Sequence, residues 1–337
     1  MHRETLLIEV NPAEPDHQVI NRAADVLRRG GLVAFPTETV YGLGADALNP
    51  DAVKKIFTAK HRPLDNPIIV HVSALEDVRV LTDDISPQAI LLMKKFWPGP
   101  LTLIFKKSGQ ASDAVTGGQE TVAVRMPRNT IALALIRGLG HPIAAPSANL
   151  SGRPSPTTGR HVLQDLKGKI DMILDGGPVE VGVESTVLDL SHHPPAVLRP
   201  GSVTQEDLEP LIGKVVLGTG AKLLRRSPGT CYRHYSPQAR VTLVEEADQK
   251  AIHRLVAQYT MKGSKVGILA RHSLSLSSNT KIIVRSMPQD LKAYAVQMFA
   301  AVRELDELGV DEMIIEGVEQ KGIGVAIMDR LRRAASR

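Results

Sequence analysis

Cysteine is almost absent: Cys231 is the only one in 337 residues. No intramolecular disulfide can form and no cysteine-based structural zinc site can be built. A reducing compartment is compatible with that usage. Aromatic residues are 3% of the chain and Trp97 is the sole tryptophan, which leaves few rings for stacking single-stranded nucleic acid. No apolar run approaches the ~18 residues that a membrane helix needs. The first ten residues are interrupted by Arg3, Glu4 and Glu9 and do not read as a signal peptide. There is no G-x-x-x-x-G-K-[ST], so no P-loop, and there is no H-E-x-x-H and no pair of Cys-x-x-Cys units. A loose G-x-G-x-x-A match at Gly42–Ala47 lacks the acidic residue expected about 20 positions on, because Lys60 and Arg62 crowd that region.

What is there is an ordinary folding composition: 43% hydrophobic, 23% charged, mean hydropathy −0.05. That excludes a wholly disordered chain, a collagen and a coiled coil, and the length suits two domains. The net charge of +5, from 41 basic and 36 acidic residues, favours contact with phosphates of a nucleotide or nucleic acid. A basic stretch, Arg330, Arg332, Arg333 and Arg337, closes the sequence and reads as a solvated helix end complementing the dipole.

Apolar periodicity predicts alternating strands and helices over the first ~220 residues. Strands are expected at 6–10, 32–35, 68–72, 101–105, 121–125, 143–145, 171–174, 185–190, 196–199 and 214–217. Asp16, Asn49 and Ser86 stand where helix caps should, the last two followed by a first-turn proline. From Lys222 to Pro237 the pattern breaks. A second run of strands (240–244, 265–270, 281–285, 313–316) and helices (248–261, 288–308, 325–334) then follows. Both halves therefore read as α/β.

Polar loops leave several of the apolar strands, the usual place for ligands on an open sheet. They comprise 36–44, with hydroxyls and glycines; 60–67, with Lys60, Arg62 and two stiffening prolines; Arg125-Met126-Pro127; 145–155, rich in Ser and Asn; 184–189; and 198–201. Fixed cations such as Lys60 and Arg62 suit a triphosphate. No base is fixed beside any serine, so a serine nucleophile stays open but unsupported, and the combination points to binding and positioning of an anionic ligand more than to covalent catalysis. The aromatic- and arginine-bearing segment 225–237 is chemically richer than a plain spacer.

The ordered set Thr37-Glu38-Thr39-x-Tyr41-Gly42-Leu43, Lys60-x-Arg62-Pro63-x-x-Asn66-Pro67, Pro146-Ser147-Ala148-Asn149-x-Ser151-Gly152, Ser185-Thr186-Val187 and Arg199-Pro200-Gly201 resembles the YrdC-type threonylcarbamoyl-AMP synthases. With Ser227-Pro228-Gly229-Thr230-x-Tyr232-x-His234-Tyr235, the likeness extends to the long, two-domain form and covers essentially the whole chain. It implies a YrdC-like twisted mixed sheet with helices at 1–221, a linker crossing the active site at 222–238, and a smaller Rossmann-like open-sheet α/β domain at 239–337. The implied activity is that of a cytoplasmic nucleotidyltransferase. It joins L-threonine, bicarbonate or CO2 and ATP, with Mg²⁺ accompanying the ATP, into L-threonylcarbamoyl-adenylate and pyrophosphate, for transfer to tRNA by separate proteins.

By motif position the resemblance assigns Lys60 and Arg62 to catalysis at the ATP phosphates. Asn66, Thr121, Ser147, Asn149, Ser155, Arg199 and Tyr235 are further ATP contacts. Thr39, His71, Arg125, Ala145 and Ser185 form the L-threonine site, and no residue is assigned as a protein metal ligand. A YrdC-like module that recognises structured RNA through a positive cavity is the competing reading, and it leaves room for weak tRNA contact. A hydrogenase-maturation carbamoyl transferase would carry cysteine-rich zinc elements that a chain with one cysteine lacks. In the second domain His253, His272 and the basic stretch are expected at the surface.

Overall fold

The computed structural model describes residues 4–230, 234–245, 248–276 and 280–336. Cys231, Tyr232 and Arg233 of the connector and Arg337 of the basic stretch lie outside the described residues. Two units are formed, Met1–Ser151 with Ser155–Cys231, and Gly152–Pro154 with Tyr232–Arg337.

In the first unit the strands are β1 (Leu6–Glu9), β2 (Val33–Phe35), β3 (Gly42–Asp46), β4 (Val70–His71), β5 (Leu101–Lys106), β6 (Thr121–Arg125), β7 (Ile143–Ala144), β8 (Met172–Asp175), β9 (Thr186–Asp189), β10 (Ala196–Arg199) and β11 (Val216–Leu217). They make one 11-stranded sheet in the order β1-β8-β2-β3-β7-β4-β6-β5-β9-β10-β11. Pairing is mixed: β4 runs parallel to β6, and β5 antiparallel to it.

Alternation along the strands sends side chains to two separate cores, as a period of two requires. Leu32, Ala34, Leu43 and Ala45 join one cluster with Val53 and Ile56 of helix Pro50–Lys60. Val33 and Phe35 join the other, with Ala23 and Leu27 of helix His17–Arg28 and Ile131 and Leu135 of helix Thr130–Leu139. The sheet is thus covered on both faces, and the expected α/β class with a mixed sheet is what is observed.

Helix Pro50–Lys60 carries the first candidate cation on its last turn. The Asn49 side chain accepts from the Asp51 and Ala52 N–H groups, Pro50 opens the helix, and His61 ends it in the left-handed region at φ 53. These features fix where Lys60 stands and where loop 61–67 begins.

Strand β3 was not expected, since residues 36–44 read as one polar loop. Its sequence Gly-Leu-Gly-Ala-Asp has poor strand propensity, yet every residue is buried. A Cβ on Gly44 would stand 2.8 Å from both Ile143 Cγ2 and Phe35 Cε1, so the glycine serves close packing in the sheet centre. The G-x-G-x-x-A match is therefore an antiparallel strand and not a phosphate-binding turn.

The second unit has a parallel sheet of β12 (Arg240–Val244), β13 (Val266–Ala270), β14 (Ile282–Ser286) and β15 (Glu312–Glu316), in the order β12-β15-β13-β14. Helices Gln249–Met261, Leu291–Glu307 and Gly324–Ala335 accompany it. This is the smaller open-sheet α/β domain expected. The basic stretch requires a correction: Arg332 is exposed, but the Arg330 side chain is 0% exposed, paired with Asp329 at 2.7 Å. Arg330 lies 5.4 Å over the Tyr235 ring, a cation–π distance. Its helix turns Arg330 onto the buried face, where Ile327 and Leu331 also lie. His272 is at the surface as expected and His253 is half-buried; the His272 ring contacts the buried Glu316 carboxylate.

Candidate active site

Three strands of the first unit, β4, β6 and β10, end in buried polar side chains: His71, Arg125 and Arg199. Arg125 closes β6, and the parallel register sets it level with His71 at the end of β4. The Arg125 guanidinium is framed on three sides: Nε donates to the Gly99 carbonyl at 3.2 Å, Nη1 to Thr39 Oγ1 at 3.0 Å, and Nη2 lies 2.6 Å from Glu38 Oε2. Thr39 is held in turn, because its hydroxyl is 2.8 Å from that of Thr37, which donates to the Val40 carbonyl at 2.6 Å. Burial, with Arg125 beside it, pushes the His71 imidazole down to about 3. The ring is neutral near pH 7, and its Nδ1 has no hydrogen-bond partner among the described residues.

Arg199, at the end of β10, is among the charges that depress His71. Its Nη2 donates to Ser185 Oγ at 3.0 Å, its Nε to the Ser185 carbonyl at 3.1 Å and its Nη1 to the Pro228 carbonyl at 3.1 Å. Ser185 Oγ is also 2.7 Å from Thr102 Oγ1 of β5. A Cβ on Gly201 would lie 2.3 Å from the Thr186 nitrogen and 2.7 Å from the Glu184 carbonyl oxygen. Arg199-Pro200-Gly201 can therefore lie against the Ser185 loop only with glycine at the third position.

The cations of the Lys-x-Arg pair are pinned by neutral backbone. Lys60 Nζ donates to the carbonyls of Ser147 and Asn149, while the Lys60 carbonyl accepts from Ser151 N at 2.9 Å. Arg62 Nη2 donates to the Pro67 carbonyl at 2.8 Å and Nε to that of Asn66 at 3.4 Å. Asn66 is buried, and its Nδ2 has no hydrogen-bond partner among the described residues.

The structure thus groups Thr39, His71 and Arg125; Ser185 with Arg199; Lys60 with Ser147 and Asn149; and Arg62 with Asn66. Ala145 follows β7 directly, its N–H on the carbonyl of Ile69, the residue before β4, at 2.9 Å. Thr121 does not join the Arg125 group: it opens β6, roughly 13 Å from Arg125 along the strand. The antiparallel register with β5 sets it opposite Lys106. Ser155 is buried and donates its hydroxyl to Glu184 Oε1. Tyr235 belongs to the second unit, with φ 63 and its ring stacked on Phe299 at 5.5 Å.

Glu38, Thr102 and Glu184 escaped sequence reasoning as members of the site. A carboxylate in a hydroxyl-rich loop directly after a wholly apolar strand was the available signal for Glu38. Nothing local marks Thr102, which is one hydroxyl in an apolar strand.

Residues 25–201 match the family described as "Telomere recombination" (Sua5_yciO_yrdC), and residues 203–336 match "Threonylcarbamoyl-AMP synthase, C-terminal domain". The chain is 47% identical to a threonylcarbamoyl-AMP synthase of Pyrococcus abyssi, covering 94% of each. It is 46% identical to one of Bacillus subtilis, covering 94% of this chain and 92% of that one. The crystal structure of P. abyssi Sua5 complexed with L-threonine superposes with a TM-score of 0.92 at 45% identity, covering 98% of each chain.

Proposed function

This chain belongs to the two-domain threonylcarbamoyl-AMP synthase family, and from that premise we propose that the polar ends of β4, β6 and β10 hold L-threonine beside ATP while a carbamate is joined to the α-phosphate. The observation that carries this is a pair of buried guanidinium groups in one unit, Arg125 on Thr39 and Arg199 on Ser185, with the neutral His71 ring in the field of both. The L-threonine seen in the P. abyssi relative supports the same ligand here.

Arg125 takes the threonine carboxylate, with Thr39 and Ser185 as hydroxyl partners, Ala145 as a backbone partner and His71 as a neutral wall. The amine, once it has given up its extra proton to solvent, bonds to the bicarbonate carbon as a carbon–oxygen bond breaks and water leaves, which gives a carbamate. One carbamate oxygen then attacks the α-phosphorus, the bond to the bridging oxygen of the β-phosphate breaks, and pyrophosphate leaves. Lys60 and Arg62 act at the phosphates, with Asn66, Thr121, Ser147, Asn149 and Ser155 as nucleotide contacts and Arg199 between the two substrates. Because Lys60 also ties down the Ser147–Asn149 loop, its charge and the shape of the nucleotide site stand or fall together. The gain is mainly proximity and fixed charge.

Among the described residues no group of three or more His, Cys, Asp or Glu could hold a metal ion. Mg²⁺ would come with the triphosphate. Among those residues, no helix is long and apolar enough to cross a membrane. A cytoplasmic setting, next to ATP and the proteins that move the threonylcarbamoyl group to tRNA, fits these substrates. Pyrophosphate release measured with and without L-threonine and bicarbonate tests the reading. Release should need both and fall at least 100-fold in Lys60→Ala. Release indifferent to threonine would overturn it.

A further inference from the structure

We propose that Glu38 receives the α-ammonium of the amino-acid substrate, so that one buried ion pair recognises both charges of a zwitterion. This rests on the placement of the amino acid at Arg125. Glu38 Oε2 lies 2.6 Å from Arg125 Nη2, and both side chains are buried, at 0% and 4% exposure. The other oxygen, Oε1, is shut off from solvent and has no hydrogen-bond partner among the described residues. A buried carboxylate oxygen without a donor is costly and calls for one. An ammonium arriving with the ligand supplies it.

The charge count agrees. Beside the neutral His71 ring, Arg125 and Glu38 form one cation–anion pair, with Arg199 a further cation on the Ser185 side. A lone buried arginine would take any carboxylate; an arginine with a carboxylate beside it suits a ligand that brings a positive group as well. The backbone holds the pair in register. Thr37 and Thr39 hydroxyls brace the turn, and the Glu38 carbonyl accepts from Val181 N at 2.8 Å. Glu38, Thr39, Ser185, His71 and Arg125 are all buried to 3% exposure or less, so an opening that admits an amino acid to Arg125 has to uncover its neighbour Glu38 as well. Once the nitrogen becomes part of a carbamate it loses its positive charge, so Glu38 favours the free amino acid over the carbamate.

The test is titration calorimetry of the full chain with L-threonine and with the analogue bearing a hydroxyl in place of the amine. Wild type should bind L-threonine about tenfold or more tightly than the analogue, the scale of one charged hydrogen bond. Glu38→Gln should lose that preference through weaker threonine binding, with the analogue unchanged. Equal weakening of both ligands would mean that Glu38 only steadies Arg125, and would overturn the proposal, as would unchanged threonine affinity. If Glu38→Gln does not fold, the wild-type comparison decides, because equal affinity for the two ligands contradicts an ammonium site. Failure of wild type to bind either ligand would sink the placement at Arg125, and the proposal with it.

Discussion

His71 ties the site to pH. Its imidazole is pushed down to about 3 in the folded chain, against ~6.5 in an unfolded one. Between those values the unfolded state binds the proton and the folded state does not. Stability therefore rises with pH across that window and is independent of His71 above it, with a slope reaching ~1.4 kcal/mol per pH unit. Unfolding by urea at a series of pH values should show a shallower acid slope in His71→Gln than in wild type. An identical slope would mean that another group governs the acid limb. At this scale the sequence was a fair guide to residue type and a poor one to partners. Lys60, Arg62 and Arg125 are visible as cations in stiff loops. That Lys60 bonds carbonyls some ninety residues away, or that Arg125 leans on Glu38, depends on strand pairing that no local pattern encodes.

At the scale of elements, caps and apolar periodicity were legible. Asp16, Asn49 and Ser86 each cap a helix, because capping is a contact between near neighbours in the chain. Strand β3 was not legible, because its glycines are chosen by contacts with Phe35 and Ile143 rather than by propensity. Arg330 was misplaced for a related reason: a charge run looks alike on either face of a helix until packing selects one. Gly201→Ala probes the same physics at the site. Its new Cβ meets backbone of the Glu184–Thr186 loop, which cannot yield as a side-chain tip can. A loss of about 1–3 kcal/mol is expected, with a raised KM for threonine as Ser185 and Arg199 separate. Gly109→Ala, with nothing within 4 Å, should stay within about 0.5 kcal/mol. Chemical denaturation and steady-state kinetics on the two variants check this; equal behaviour would contradict the contact.

For the molecule as a whole, the α/β class of both sheets was legible from alternating periods. The strand order was not, since β3, β7 and β4 are neighbours drawn from distant stretches of sequence. In that order β4, β6 and β10 run the same way and end on one edge of the sheet, where Arg125 reaches Thr39, and the enzymatic reading depends on it. The most direct measurement is mass spectrometry of the product formed from ATP, L-threonine and ¹³C-bicarbonate. A threonylcarbamoyl-adenylate carrying one heavy carbon is the result this account predicts. An adenylate of threonine itself, without the added carbon, would contradict it.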